Sequence, residues 1–292
     1  MDWLFFSEIG LAGIGSGGLY ALTGLALVLI YKATRVVNMA IGEILMFGAY
    51  VFMGFSAGLA LPMWAAIPLA ILVTGLMGGV IERLIIRPML GESAISIFMV
   101  TIGLGSVLVG LVEIIWGANP QRLVEFMPSD PIFIGEAYLS SKVGYAFAIA
   151  AVVLGLFLII FRTWRGGVAL RATAGDQAAA YSMGINVPGV FSSVWVITAM
   201  ISAGAGILVG SIGGISPNMG VYGLSVLVVV IVGGLDSLLG ALIAGVLVGI
   251  IETYAGAYLG GEYKMLATFC LLVLVLVVRP YGLFGTHEIE RL

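Results

Sequence analysis

Charge is scarce in this chain: 9% of its 292 residues are Asp, Glu, Lys or Arg, against 61% hydrophobic, and the mean hydropathy is +1.20. Soluble domains carry about 25% charged residues, so a chain this poor in charge cannot clothe a water-facing surface. It reads as an integral membrane protein. Cysteine is nearly absent. The single Cys270 excludes an intramolecular disulfide. Histidine occurs once, as His287 in the polar tail. Together these scarcities exclude His/Cys metal cages and leave no His-based catalytic triad in the membrane. Lysine occurs at 32, 142 and 264, followed by Ala, Val and Met. None of these has the Gly before it and Ser or Thr after it that a phosphate-binding Walker A loop requires. If ATP drives this protein, another chain hydrolyses it. The N-terminal Met-Asp-Trp-Leu-Phe-Phe-Ser-Glu lacks the basic region of a cleavable signal, so the first hydrophobic segment is expected to stay.

Glycine is plentiful, 43 residues, roughly twice the usual share of about 7%. Small residues let membrane helices approach closely. A span needs about 20 apolar residues, and runs of that kind lie near 9–31, 37–59, 63–82, 94–116, 143–162, 190–211, 220–234, 237–258 and 263–280. The seventh would reach only about 22 Å as a helix, a partial span. The fold class expected is all-α: a polytopic transmembrane bundle of eight or nine spans, one domain over residues 1–292, with a short polar cytoplasmic helix. Basic residues cluster after alternate spans, at Lys32 and Arg35, Arg83 and Arg87, Arg162, Arg165 and Arg171, then Arg279 and Arg291. The net charge of −3 carries no such information. By the positive-inside rule these loops are cytoplasmic. That puts the N-terminus outside, the C-terminus inside, and the loop 117–142, with Pro120, Pro128 and Pro131, outside and ordered by turns.

Few residues offer chemistry. Gly13-Ile-Gly-Ser-Gly-Gly18 fits G-x-G-x-x-G, but lies within a span rather than between strand and helix. It reads as a packing face, as do Gly75/Gly79, Gly206/Gly210 and Gly245/Gly249. Ionisable residues within spans are functional candidates. Asn38 and Glu43 lie at the cytoplasmic start of the second span, about 140° apart if the helix is regular. Glu43 either reaches Lys32 or Arg35 at the interface or serves translocation or gating. Thr101 offers a hydroxyl inside the bundle, and Gly233-Gly-Leu-Asp236-Ser237 stops one helix and caps the next. Glu113 and Glu252 read as solvated positions near the outer ends of their spans. A short repeat links Gly18-Leu-Tyr-Ala-Leu to Gly223-Leu-Ser-Val-Leu, each ahead of a turn and a Gly-rich helix.

The stretch 163–189 is the longest polar interruption. Within it Val168–Met183 is alanine-rich, so of high helix propensity. Gly184 serves as its stop and Pro188 bars continuation. Leu170, Ala174, Ala178 and Tyr181 follow at helical spacing. With a single arginine, Arg171, it lacks the basic and aromatic character of a surface-lying membrane helix, and suits a groove on a partner protein.

Arg171-Ala-Thr-Ala-Gly-Asp176-Gln177-Ala-Ala-Ala-Tyr181-Ser-Met-Gly184-Ile-Asn resembles the cytoplasmic loop of the branched-chain amino acid type of ABC importer permease. Asn38-Met-Ala-Ile-Gly-Glu43 is similar to that family's Asn-Phe-Ala-His-Gly-Glu. Glu82-Arg-Leu-Ile-Ile-Arg-Pro88, Val232-Gly-Gly-Leu-Asp-Ser-Leu-Leu-Gly-Ala241 and Arg279-Pro-Tyr-Gly-Leu-Phe-Gly285 match further family segments in order. The likeness covers nearly the whole chain and is greatest to the shorter, H-type subunit. It implies a permease of the bacterial inner membrane, paired with a longer M-type permease, two cytoplasmic ATPase subunits that carry the ATP–Mg, and a periplasmic binding protein. No cofactor in this chain and no nucleic-acid partner are implied. The 168–184 helix would be the coupling helix, with Arg171, Asp176, Gln177, Tyr181 and Gly184 meeting the ATPase. Asn38, Glu43, Thr101, Asp236 and Ser237 would line or gate the pathway between the permeases. Two departures, Ile41 in place of the family's His and Leu-Asp within Gly-Gly-Leu-Asp-Ser, bear on cargo: a branched-chain amino acid, or the urea, short amides and aromatic acids of relatives. The rival from another class is an ion-coupled secondary transporter or channel, which needs buried ionisable residues in mid-span.

Overall fold

The structure, a computed structural model, describes residues 3–128 and 130–285. His287 and Arg291 lie outside the described residues. Seven helical segments are long and apolar enough to cross a bilayer. They are α1 (Trp3–Thr34), α2 (Ile41–Met53) with a π turn (Gly54–Gly58), α3 (Met63–Ile81) with π and 3-10 turns to Met89, α4 (Ala94–Trp116), α5 (Ser141–Thr163), α8 (Val187–Gly213) and α10 (Leu238–Tyr258). Between α5 and α8 come the short α6 (Arg165–Gly175) and α7 (Gln177–Ser182). Two shorter apolar stretches complete the bundle: a 3-10 turn (Pro217–Val221) running into α9 (Tyr222–Gly233), and α11 (Tyr263–Val278). The polytopic all-α bundle expected from composition is thus what the chain forms. The Pro-rich loop adds a small antiparallel hairpin, β1 (Ile132–Ile134) with β2 (Ala137–Leu139).

Hydrogen bonds sort the connections to two ends. At one, Lys32 Nζ donates to the Asp236 carbonyl (2.9 Å), Arg87 to the Pro188 carbonyl (3.2 Å) and the Phe284 N–H to Gly233 (3.0 Å). At the other, the Tyr138 N–H donates to Glu8 (2.9 Å), the Tyr254 hydroxyl to the Phe6 carbonyl (2.9 Å), and Gln121 exchanges two backbone bonds with Ile215 (2.8 Å each). The first is a basic end, gathering Lys32, Arg35, Arg83, Arg87, Arg162, Arg165, Arg171 and Arg279. The second is the hairpin end, where Lys142 pairs with Glu125 at 2.9 Å.

The core is built on α1, whose Leu25, Ala26, Leu27, Val28 and Ile30 are all 0% exposed. The glycines read as a packing face are what lets α10 reach it. A Cβ on Gly17 would fall 2.7 Å from the Val246 Cα, and one on Gly13 would fall 2.8 Å from the Ile250 Cα. The backbones meet where side chains would stand between them. Gly75 and Gly79 seat α3 on Met200 and Val196 of α8, and Gly206 seats α8 on the Leu45 backbone of α2. The α1–turn–α2 and α9–turn–α10 units lie crosswise, α1 on α10 and α2 on the start of α9.

Candidate functional site

The second span does not begin where its sequence places it. After α1 the chain turns back at Arg35, whose φ of +58° is left-handed backbone, a conformation that costs a non-glycine residue about 1–3 kcal/mol. Residues 35–40 then climb into the bundle without forming a helix. Asn38 is fully buried in this climb and turns it: its Oδ1 accepts from the Ala40 N–H (3.0 Å). The Met39 N–H donates to the Thr101 hydroxyl (3.2 Å). Thr101 is itself buried, about 10 Å along α4 from Ala94. The helix α2 starts only at Ile41, so Asn38 is not on it, and the 140° separation expected on a regular helix does not apply.

Glu43 consequently lies far deeper than the cytoplasmic mouth expected for it. Its carboxyl is packed against Gly105, where a Cβ would meet it at 3.1 Å. Gly105 is the midpoint of α4, eleven residues from Ala94 and eleven from Trp116. From the other side Gly220 closes in, a Cβ there falling 2.8 Å from Oε1. One residue earlier, Gly42 touches Gly223 in the first turn of α9. Two helices therefore start at mid-depth against each other, α2 running to the hairpin end and α9 to the basic end. Beside this junction runs a groove of about 580 Å³, bordered by Glu43, Met39, Ser106, Val109, Glu113 and Leu224 among others.

The expected tie of Glu43 to Lys32 or Arg35 is not made: Lys32 is engaged at Asp236, and no ion pair of Glu43 occurs among the described residues. Its Oε2 is buried without a hydrogen-bond partner. The two helix N-termini nearby favour an anion by about 0.3–1 kcal/mol each. An unpaired charge taken out of water costs several kcal/mol, so the helix ends do not settle it. Of the other residues expected on the pathway, Asn38 and Thr101 are each one residue from the groove-lining Met39 and Ile102 but are themselves fully buried. Asp236 and Ser237 do not reach the groove. They form the turn at the basic end, where Ser237 Oγ accepts from the Gly240 N–H (3.0 Å) and caps α10. Glu113 borders the same groove about 12 Å beyond Gly105, towards the hairpin end.

The 163–189 stretch is not one helix. It breaks at Asp176, whose extended backbone (φ −155°) ends α6 and whose carboxylate accepts from the Ala178 and Ala179 N–H groups (2.8 and 3.0 Å) to cap α7. The alanine-rich pattern hides this, because an aspartate in a helical run signals a cap only when the chain turns at it. The proposed side of Leu170, Ala174, Ala178 and Tyr181 is therefore split. Leu170 is buried against the bundle while Tyr181 is 71% exposed. Arg171 is held from within, donating to the Phe161 carbonyl (2.6 Å) with its guanidinium over that ring. Gln177 reaches the Ala33 carbonyl (3.5 Å). Gly184, at φ +83°, is the stop expected of it. Tyr181 and Met183, the latter 83% exposed, are the most exposed large hydrophobic side chains of this stretch, ahead of Trp164 and Val168.

Two further carboxylates have partners that the sequence did not announce. Glu82, 1% exposed, takes a bidentate pair from Arg87 (3.0 and 2.9 Å) and a hydroxyl from Ser192 (2.8 Å). Arg87 reaches the Pro188 carbonyl as well, so the pair fastens α3 to the first turn of α8, next to α7. The only legible signal was Glu and Arg five apart, which a regular helix separates by about 140°. The π turn over Glu82–Ile86 brings them together. Glu252, expected to be solvated, is half-buried and accepts the Tyr20 hydroxyl at 2.7 Å, with Tyr20 stacked on Tyr222. Among the described residues no group of three or more His, Cys, Asp or Glu is placed to hold a metal ion.

A glycine-packed bundle with seven candidate spans among the described residues, a mid-depth groove on its flank and a polar segment at its basic end defines a multi-pass membrane protein. Residues 10–276 match the family model described as the permease component of the branched-chain amino acid transport system, and the chain belongs to that family. It is 30% identical to the high-affinity branched-chain amino acid transport system permease protein LivH of Salmonella typhimurium, over 99% of both chains. It is 31% identical to the corresponding BraD of Pseudomonas aeruginosa, over 96% of this chain and 95% of that one. With LivM of Salmonella typhimurium the identity is 26%, over 96% of this chain and 71% of the relative. Among solved structures, PsaBC from Streptococcus pneumoniae in complex with Fab shares the fold, with a TM-score of 0.53 and 15% identity over 96% of this chain and 94% of that one.

Proposed function

We propose that this chain is the H-type permease of a binding-protein-dependent importer that moves branched-chain amino acids or a related small polar or carboxylate solute inwards. It pairs with an M-type permease. The groove beside Glu43 forms one wall of the pathway between the two, with Asn38 and Thr101 buried next to its lining residues Met39 and Ile102. The basic end faces the cytoplasm, so the N-terminus is outside and the C-terminus inside the bacterial inner membrane. Two ATPase subunits dock there and hold the ATP–Mg that this chain has no loop to bind. A periplasmic binding protein delivers cargo at the hairpin end.

The observation that carries this reading is the segment of α6 and α7. Arg171 and Asp176 are occupied in shaping it, Gln177 in tying it to α1, and Gly184 in ending it, while Tyr181 and Met183 are offered to a partner. Inward movement of the ATPases would push on those two side chains. The Glu82–Arg87–Ser192 fastening would pass the push to α8 and α3 together.

Reconstitution of this permease with its M-type partner, ATPases and binding protein in liposomes tests the reading. Leucine should accumulate only with ATP, and Tyr181→Ala should weaken ATPase association by roughly tenfold or more, as loss of a central aromatic anchor does. Accumulation driven by a proton or sodium gradient without ATP would overturn the proposal in favour of an ion-coupled carrier.

A further inference from the structure

We infer that Glu43 is the site that receives the ammonium group of the cargo as it passes the middle of the membrane. The inference rests on the reading of the groove as the pathway. It adds the group of this chain that would meet the cargo's ammonium: one carboxylate in the wall of the groove.

Three observations meet at one place. The first is position. Glu43 packs on the midpoint of α4 and on Gly220 beside the start of α9, halfway along the bundle. The second is want of a partner. Its Oε2 is buried with no donor, while Glu82 and Glu252 each have theirs. Carboxylates inside a membrane pair with one another, with cations or with water-filled cavities, and mark substrate paths. The third is the cavity itself. At about 580 Å³ it falls within the range of about 300–1,000 Å³ that takes small molecules. Its border is mainly aliphatic, with Met39, Ile102, Val109 and Leu224, and carries one hydroxyl, Ser106. A carboxylate set in an apolar wall fits a molecule with one cationic head and a branched aliphatic body. It does not fit an uncharged amide or an anion equally well.

The close approach of the two glycines gives the arrangement its shape. Gly105 and Gly220 let two backbones close on the carboxylate from either side, where a Cβ would fall 3.1 Å from Cδ and 2.8 Å from Oε1 respectively. Glu113, bordering the same groove nearer the hairpin end, supplies a second, exposed carboxylate on the way in. An ammonium entering there meets negative charge first at the mouth and then at mid-depth.

The test is protection from a hydrophobic carbodiimide, which modifies carboxyl groups in apolar surroundings, on the complete detergent-solubilised transporter. Modified residues are read by mass spectrometry. Glu43 should be labelled, and 3-methylbutylammonium and leucine should each slow that labelling by roughly tenfold, the effect of a charge-assisted hydrogen bond. The carboxylate analogue 3-methylbutanoate should not. Equal protection by the ammonium and the carboxylate compounds, protection by none, or a Glu43 that is never labelled would each overturn the inference. In liposomes, Glu43→Gln should lower ATP-driven leucine uptake by roughly tenfold, with Glu43→Asp keeping more of it than Gln. Uptake by Glu43→Gln at the wild-type rate would also overturn it. If the wild-type complex shows no ATP-driven uptake at all, the importer reading fails instead, and the labelling result stands or falls separately.

Discussion

Glu82 and Glu43 are the same side chain near the basic-end loops of neighbouring spans in sequence, yet the fold treats them oppositely. Around Glu82 every acceptor is used: Arg87 supplies two hydrogen bonds and Ser192 a third, and α3 is thereby fastened to α8. Around Glu43 the backbone is packed as tightly, glycine against carboxylate, but no donor reaches Oε2. Burial alone therefore does not distinguish a structural carboxylate from a functional one. What distinguishes them is whether the chain provides the counter-charge. At Glu82 removal of the partner harms the fold. At Glu43 the fold leaves the carboxylate Oε2 without a hydrogen-bond partner among the described residues, which is the property the proposed ammonium site rests on.

The contrast yields predictions in order of size. Arg87→Ala should have the largest effect on stability. It strands Glu82 and should cost about 2–4 kcal/mol, at the lower side of buried pairs because Arg87 is itself 34% exposed. Thermal unfolding of the purified complex would show it. Replacing both partners together, Glu82→Leu with Arg87→Met, should recover most of the loss, and failure to do so would mean the pair is not what holds α3 to α8. Next comes Gly249→Leu, which pushes a side chain into the Gly17 backbone across the α1–α10 seam. Overpacking of this kind costs about 1–3 kcal/mol, read in the same melting experiment. Asp176→Ala removes the cap of α7 and should cost about 1 kcal/mol. That loss should appear as faster hydrogen exchange confined to residues 177–182, with the spans unchanged. The smallest change in stability is expected for Glu43→Gln, within about 1 kcal/mol of wild type and of either sign, because no intrachain partner is lost. A destabilisation as large as that of Arg87→Ala would erase the distinction between the two carboxylates.

Much of the architecture was legible because membrane segments announce themselves. Long apolar runs, the alternation of basic loops and the spaced glycines follow from what a bilayer demands of a backbone, and each survived into the fold. The broken elements were less legible. Residues 37–40 read as the start of a span because Val37, Met39 and Ala40 are apolar, and apolarity does not say whether a buried backbone is helical. Asp176 read as one polar residue in a helix because a cap differs from a helical aspartate only in φ and ψ. Asn38 and Thr101 were named as candidates on their residue type, and their meeting through the Met39 N–H could not be read, since they belong to elements more than sixty residues apart.

By itself the sequence determined that this chain lives in a membrane, that its helices pack through glycine, that a polar segment near 163–189 interrupts them, and that nothing in it follows the nucleotide-binding pattern. These are consequences of composition and local spacing, which no tertiary contact can undo. Only the tertiary structure decided the depth of Glu43, the use of Arg171 and Asp176 as internal fastenings, and the exposure of Tyr181 and Met183. Depth and exposure depend on which distant elements arrive alongside, here α4 and the start of α9 against α2. That arrival is settled by the packing of the whole bundle rather than by any stretch of the chain.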